Sequence, residues 1–371
     1  MELIYPGKKK NNEIISETHK ASLDHYDINL SGNLLFQGEN LQIMKSLSED
    51  FNFKNKMDLV YIDPPFSTNT VYRTGENRSA TISMRNGDEI AYSDTLNGSE
   101  FLEFIRERLI FIRELMSDQG SIYFHIDYKI GHYIKIIMDE IFGIDNFRND
   151  ITRIKCNPKN FKRKAYSNIK DLILFYSKTK KIIWNEPLVD RPKDSIERLF
   201  PKIDSKGRRY TTNPLHAPGE TKNGATGQTW RGISPPEGRH WRNNPSVFDE
   251  LDRQGLIEWS STGNPRKIIY ADDYDKMRLQ DIWEFKDSQT QTYPTEKNLD
   301  LLDLIIKTSS EPDSIVFDCF CGSGTTLLAA SMNDRKWIGI DQSDLAIKAI
   351  NKKFTTKFGY FSNYSFYKQI N

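Results

Sequence analysis

Two short stretches of this sequence carry residues whose types and spacing could do chemistry. The first is Asp63-Pro64-Pro65-Phe66, directly after the apolar run Leu59-Val60-Tyr61-Ile62. An apolar run that ends in an acid and two prolines reads as a strand stopping in a rigid turn. The amino nitrogen of adenine or cytosine is a weak nucleophile, because its lone pair is delocalised into the ring. Accepting its two N–H hydrogens concentrates electron density on nitrogen as it attacks an electrophile. Asp63 can accept one hydrogen and the Pro64 carbonyl the other, with Pro65 stiffening the turn. Phe66 can stack on a base swung out of a duplex. The competing reading is a strand with a plain Pro-Pro stop.

The second stretch is Ile315-Val316-Phe317-Asp318-Cys319-Phe320-Cys321-Gly322-Ser323-Gly324-Thr325-Thr326, which reads as strand, glycine-rich turn and helix start. Gly322 and Gly324 allow the backbone to approach a ligand closely, with the following N–H groups facing it. A Walker A loop needs a lysine that is missing here, and a dinucleotide fingerprint needs glycine where Leu327 stands. A purely structural turn is the remaining alternative. Seventeen residues beyond Gly324, the apolar run 337–340 ends at Asp341, followed by Gln342. An acid at the tip of the next strand suits ribose hydroxyls. A ligand with adenosine but no pyrophosphate fits these features, and S-adenosylmethionine is such a ligand. Cys319 and Cys321 lack the further Cys or His residues of a metal site, so no metal is expected.

The elements that must position these residues alternate. Strand-like runs at 33–36, 58–62 and 121–126 are separated by helical patterns, one on Leu41, Met44 and Leu47 and another from Phe101 to Leu115. A further helix over 132–142 stops at Gly143, and two strands near 151–155 and 171–176 form a candidate antiparallel hairpin at the sheet edge. Strand–helix alternation implies an α/β fold with a doubly wound, parallel sheet. Between 185 and 290, Pro, Gly, Asn, Arg and Trp crowd together and apolar periodicity weakens, as in a loop-rich insert. The pattern then resumes with a helix at 299–309, a strand at 314–318, a helix from Thr326 and a strand at 337–340. The expected division is therefore an arm at 1–30, two parts of one domain at 31–184 and 291–371, and an insert at 185–290.

Across 371 residues the net charge is only +1, but residues 151–210 hold 17 Lys/Arg against 6 Asp/Glu. A basic stretch in an otherwise acidic chain suits a phosphate-binding face; the bland alternative is a solvated lysine-rich surface. Lys155, Lys159, Lys162, Arg163 and Lys164, interleaved with Phe161 and Tyr166, are the densest group. Arg231 and Arg242, near Trp230, Trp241 and Trp259, are further candidates for DNA contact, though the tryptophans also read as a small core. No run approaches the roughly 18 apolar residues of a membrane span, and the three cysteines are too few for a disulfide framework. A cytoplasmic location follows as an expectation.

The sequence resembles the N6-adenine/N4-cytosine DNA methyltransferases of the β arrangement, in which the catalytic motif precedes the cofactor motif. Asp63-Pro64-Pro65-Phe66 matches that family's D-P-P-[YF] motif, and 317–326 its F-x-x-F-x-G-S-G-T-T loop. Gly38-Glu39-Asn40 resembles its Gly-Asp segment beside the cofactor adenine. Tyr293-Pro294-Thr295-Glu296-Lys297 resembles its H-P-T-Q-K segment, which helps bind the methionine part. The resemblance implies a doubly wound, mostly parallel seven-stranded methyltransferase sheet with an inserted target-recognition domain, and S-adenosylmethionine as cofactor. It implies cofactor contacts by Glu39, Asn40, Thr295, Lys297, Asp318, Phe320, Gly322, Ser323, Gly324, Thr325, Thr326, Asp341 and Gln342.

Cytosine-C5 chemistry would need a cysteine nucleophile, usually after proline, and no cysteine here follows one. An aspartate at the first catalytic position leans to adenine within the family, with N4-cytosine as the alternative. An RNA or protein amide methyltransferase more typically has Asn there, and a non-catalytic specificity subunit would not need an intact Asp63. Double-stranded DNA is the expected partner, cleavage would need a separate restriction endonuclease, and homodimers occur in the family. The polar stretch 67–99 is expected to be a mobile lid, and His125 and Asp127 to lie near the active site, orienting loops or touching substrate.

Overall fold

The computed structural model describes residues 2–24, 32–64, 70–74, 89–94, 98–158, 162, 164–287, 296–359 and 364–370. Two compact units divide the chain, one of residues 1–186 and 280–371 and the other of residues 187–279.

The larger unit is built on a nine-stranded sheet. In spatial order its strands are Ile282–Glu284, Phe147–Ile154, Lys170–Ser177, Met116–Ile126, Met57–Ile62, Ile315–Asp318, Lys336–Asp341, Asn33–Gln37 and Tyr364–Lys368. Only Lys170–Ser177 runs antiparallel to its neighbours. The middle seven match the expected count. The two edge strands are additions: Tyr364–Lys368 lies parallel to Asn33–Gln37, and Ile282–Glu284 parallel to Phe147–Ile154. The second addition covers the edge of the expected hairpin.

Both sheet faces are buried, because strand residues alternate. Leu34, Phe36, Val60, Ile62, Ile338 and Ile340 pack with Ile43, Leu47, Leu109 and Ile134 in one core. Trp337 turns the other way, meets the Phe354 ring at 5.3 Å and donates its indole N–H to Ser331 Oγ at 2.7 Å. Burying each such large apolar side chain stabilises the fold by roughly 1.5–3 kcal/mol. Helix boundaries have local causes. Asn298 caps Leu299–Ser309 by accepting from the Asp300 and Leu301 N–H groups, and Gly143 ends Gly131–Phe142 at φ +88°. The N-terminal segment holds a helix, Asn11–Glu17, whose Ile14 is buried in the same core, and Leu23 bridges to Gln369.

From Met57–Ile62 the chain moves to Met116–Ile126 on one side; from Ile315–Asp318 it moves to Lys336–Asp341 on the other. The switch point of the sheet therefore falls between Met57–Ile62 and Ile315–Asp318, which pair directly with Val60 opposite Phe317. Ligands of open α/β sheets bind beyond the carboxyl ends of strands at such a point.

The smaller unit has a four-stranded antiparallel sheet in the order Ile257–Trp259, Pro265–Tyr270, Arg209–Pro214, Lys202–Ile203. Beside it is a core of Leu215, Trp230, Trp241, Phe248 and Leu251. Its last residue, Leu279, comes earlier than composition suggests, since Ile282–Glu284 joins the large sheet. Within 67–99, Thr70–Thr74 pairs antiparallel with Glu89–Asp94, Gly98 and Ser99 begin the helix Gly98–Leu115, and the rest of the expected lid lies outside the described residues. No helix among the described residues is long and apolar enough to cross a membrane.

Candidate active site

Strand Met57–Ile62 is almost wholly buried, and it delivers Asp63 and the buried Pro64 to the switch point. Pro65 and Phe66 lie outside the described residues. The Asp63 side chain is 15% exposed, and its Oδ2 pairs with Lys297 Nζ at 2.6 Å. Its Oδ1 is buried and has no hydrogen-bond partner among the described residues. A buried carboxylate oxygen without a donor is costly in a folded protein, so it marks a place for a ligand N–H.

Behind Asp63 runs a polar network through the sheet. Tyr61 Oη is 2.8 Å from His125 Nδ1, and His125 Nε2 is 3.3 Å from Asp171 Oδ2. Asp171 also accepts from Lys155 Nζ at 2.6 Å, with Arg153 3.8 Å away. Burial, reinforced by the Lys297 charge, pushes the His125 imidazole below its ordinary value. Burial alone would raise Asp171, but the His125 hydrogen bond and the charges of His125, Lys155 and Lys297 hold it well below the usual carboxylate range. Asp127 instead accepts from the Lys129 N–H at 2.8 Å, in the turn before Gly131–Phe142. Tyr61 and Asp171 drew no attention in the sequence. An acid at the mouth of the apolar run 172–176 was the available signal.

The glycine turn lies on the neighbouring strand. Gly322 N–H donates to Asp341 Oδ2 at 2.8 Å and Ser343 N–H to Oδ1 at 2.9 Å, so Asp341 ties the turn to the next strand. Burial raises the Asp341 carboxyl, and Gln342 beside it is exposed. Gly324 sits at φ +73°, where a Cβ would come 2.7 Å from Ile350 Cγ1. Ser323, Thr325 and Thr326 are buried. Asp318, 2% exposed, accepts from the Phe320 N–H at 3.0 Å, and burial pushes its carboxyl up to about 7. Burial likewise raises the thiols of Cys319 and Cys321, which pack as apolar groups.

Glu39 and Asn40 flank the turn. Asn40 Nδ2 donates to the Cys319 carbonyl at 2.8 Å, and Glu39 caps the helix Asn40–Glu49 by accepting from the Gln42 N–H. Both are held by Arg108, which donates to Asn40 Oδ1 at 2.7 Å, pairs with Glu39 and stacks 3.4 Å from the Phe104 ring centroid. Phe104 in turn lies 6.1 Å from Phe320. Two further residues that sequence reasoning missed support this region from elsewhere, Arg108 through Glu39 and Asn40 and Lys353 through Ser323 and Thr325. Arg108 comes from the helix Gly98–Leu115, and Lys353 from Asp344–Phe358, one turn after Ile350. Thr295 lies outside the described residues, while Lys297 faces Asp63.

The basic candidates separate by partner. Lys155 is committed to Asp171. Lys162 and Lys164 are exposed, as is Tyr166, and Lys159 and Arg163 lie outside the described residues. In the smaller unit Arg231 pairs with Asp252 and Asp249, and Arg242 donates to the Pro214 carbonyl. Trp230 and Trp241 belong to that unit's core, with Trp259 stacked on Trp230 at 5.7 Å.

Known proteins share this chain's pattern. It is 40% identical over 365 residues to the type II methyltransferase M.EcaI of Enterobacter cloacae, covering 95% of this chain and 77% of that one. It is 26% identical over 329 residues to the StyLTI Mod subunit, part of a type III restriction-modification enzyme of Salmonella typhimurium, covering 80% of this chain and about half (49%) of the subunit. Among solved structures it is similar to the M1.HpyAVI–SAM complex, at 17% identity and a TM-score of 0.44, covering 86% of this chain and 99% of that one. The N6_N4_Mtase family, described as DNA methylase, matches residues 57–352. That match spans both the Asp63 strand and the glycine turn, and the chain belongs to the N6/N4 DNA methylase family.

Proposed function

We propose that this DNA methyltransferase methylates N6 of adenine in duplex DNA, at a sequence read through residues 187–279. The observation that carries the reading is Asp63, set at the switch point with Oδ2 held by Lys297 and Oδ1 buried without a partner among the described residues. Members of the family draw the methyl group from S-adenosylmethionine, and the residues present fit that donor. The glycine turn at 322–324 opens the helix Thr325–Met332 beyond the carboxyl end of its strand, and the orphaned Asp63 oxygen follows the adjacent strand, leaving a buried acceptor beside the turn for a ligand. When bound, the donor supplies a methyl group on positively charged sulfur, and the broken C–S bond leaves its electron pair on that sulfur.

The chain's own residues prepare the nucleophile. Lys297 fixes the Asp63 carboxylate, so that Oδ1 accepts one amino N–H of the base and the Pro64 carbonyl accepts the other. As nitrogen gains its fourth bond, Oδ1 takes up the proton that must leave. Phe66 stacks on the flipped base. Glu39, Asn40, Asp318, Phe320, Asp341 and Gln342 are assigned to the adenosine end of the donor, with Thr295 and residues 322–326 along its remainder. Lys162 and Lys164 are assigned to phosphate. An aspartate in the first catalytic position supports adenine over cytosine. Self-association and a separate endonuclease partner belong to the same reading.

The test is labelled methyl transfer to duplex DNA, followed by nucleoside analysis of the product. N6-methyladenine is the expected product, and N4-methylcytosine would replace the assigned base. Asp63→Ala should abolish transfer while largely sparing donor binding. Retained transfer would rule out Asp63 as the catalytic group.

A further inference from the structure

Lys353 stands outside every motif in the sequence, yet it makes two contacts at the glycine turn and an ion pair beside them. Its Nζ donates to Ser323 Oγ at 3.0 Å and Thr325 Oγ1 at 2.9 Å, and it pairs with Glu296 Oε1 at 2.6 Å. Both partners of the ion pair are largely enclosed, with side-chain exposures of 14% and 20%. The placement is built into the helix Asp344–Phe358. Ile350 packs against Gly324, and Lys353, three residues on, falls on the same helix face. A lysine has three donor hydrogens, and these three acceptors match them.

The pattern has a directional consequence. Each hydroxyl offers one hydrogen and two acceptor lone pairs. Once Ser323 Oγ and Thr325 Oγ1 both accept from Lys353, their own hydrogens remain to donate. Ser323 Oγ and Thr325 Oγ1 lie 3.3 Å apart, so one hydrogen can be shared between them and the other offered to a ligand. The Glu296 carboxylate balances the enclosed ammonium and fixes it as a donor to both hydroxyls, so their hydrogens stay turned toward the ligand side. An anionic ligand group is what such a corner selects, and the only carboxylate of S-adenosylmethionine is on its amino-acid end.

We propose that Lys353, held by Glu296, is a positioning residue for the cofactor's carboxylate, acting through the hydroxyls of Ser323 and Thr325. This inference rests on the methyltransferase reading above. Lys353 touches the turn and Glu296 touches Lys353, and neither need touch the cofactor. Glu296 also adjoins Lys297, which holds Asp63, so neighbouring residues serve the cofactor turn and the catalytic carboxylate.

The test compares equilibrium binding of S-adenosylmethionine with that of 5′-methylthioadenosine, which lacks the amino-acid end. Wild-type chain, Lys353→Met, Lys353→Arg and Glu296→Gln are measured with both ligands. Loss of a charge-supported hydrogen bond predicts that Lys353→Met weakens S-adenosylmethionine binding by about tenfold or more. Methylthioadenosine binding should change by less than about twofold, which also reports an intact turn. Lys353→Arg should restore most of the loss, and Glu296→Gln should weaken S-adenosylmethionine selectively. Equal losses for both ligands would mean a purely structural lysine and overturn the proposal, as would undiminished S-adenosylmethionine affinity in Lys353→Met. A wild-type chain that binds neither ligand would instead overturn the methyltransferase reading.

Discussion

Replacing Asp318 with asparagine should change how stability responds to pH. The carboxyl is 2% exposed, and burial moves it from its ordinary 3.8 up to about 7. The unfolded chain releases this proton near 3.8, whereas the folded chain keeps it until about 7. Between those values the folded state binds more protons, so its stability is complete at low pH and falls as pH rises through this window. The full cost of ionising the folded carboxyl is about 4 kcal/mol, of which about 2–3 kcal/mol accrues between pH 5 and pH 8. An asparagine side chain, which does not ionise, would carry no such cost. Its oxygen can still accept from the Phe320 N–H, and its amide can still meet Thr326, the other hydrogen-bond partner of Asp318. Urea unfolding of both proteins at several pH values, followed by circular dichroism, measures the difference. Asp171, held low, titrates in the opposite sense and loses its contribution as pH falls, but it is common to both proteins and cancels. Asp318→Asn should gain about 2–3 kcal/mol on wild type from pH 5 to pH 8. Curves that stay parallel within about 0.5 kcal/mol would refute the assignment of a buried, proton-holding Asp318.

Gly324→Ala forces a Cβ into the left-handed region and 2.7 Å from Ile350 Cγ1, so it should cost about 1–3 kcal/mol of stability and weaken cofactor binding. A loss below about 0.5 kcal/mol by urea unfolding would mean that the turn is looser than its geometry. Replacing Lys162, Arg163 and Lys164 with glutamine should weaken binding to every duplex and reduce the salt slope of binding by up to about 3, as three lost phosphate contacts require. An unchanged slope in fluorescence-anisotropy titrations would move the phosphate contacts elsewhere.

Most strands were legible in the sequence because their causes are local. Apolar runs such as 59–62 and 337–340 can only be buried, and each ends at an acid that stays at the rim. The edges were not legible. Tyr364–Lys368 buries only Tyr367, and becomes a strand because Asn33–Gln37 offers an unpaired ladder. Ile282–Glu284 is only three residues long between polar flanks, too short for its β-favouring Ile282 and Trp283 to show a period, and it becomes a strand by docking on Phe147–Ile154. The insert therefore seemed to run on to 290, although the compact unit closes at 279.

The candidate site divides along the same line. Asp63 and the residues from Gly322 to Thr326 are recognisable because the chemistry needs contiguous atoms: an acid beside a carbonyl, glycines beside N–H groups. Their partners come from far along the chain and need only a long side chain of the right charge. Arg108 is one polar residue on a largely buried helix, and Lys353 one of several lysines on an amphipathic helix. Only the packed fold shows that Arg108 reaches Glu39 and Asn40 while Lys353 reaches Ser323 and Thr325. Glu296 and Lys297 make the same point within two residues. Their opposite charges suggest a solvated pair, yet one closes on Lys353 and the other on Asp63. Each enclosed charge is matched across the site rather than along the chain. Removing one partner would therefore leave its mate enclosed with one opposite charge fewer, a cost that exceeds the modest worth of an exposed ion pair.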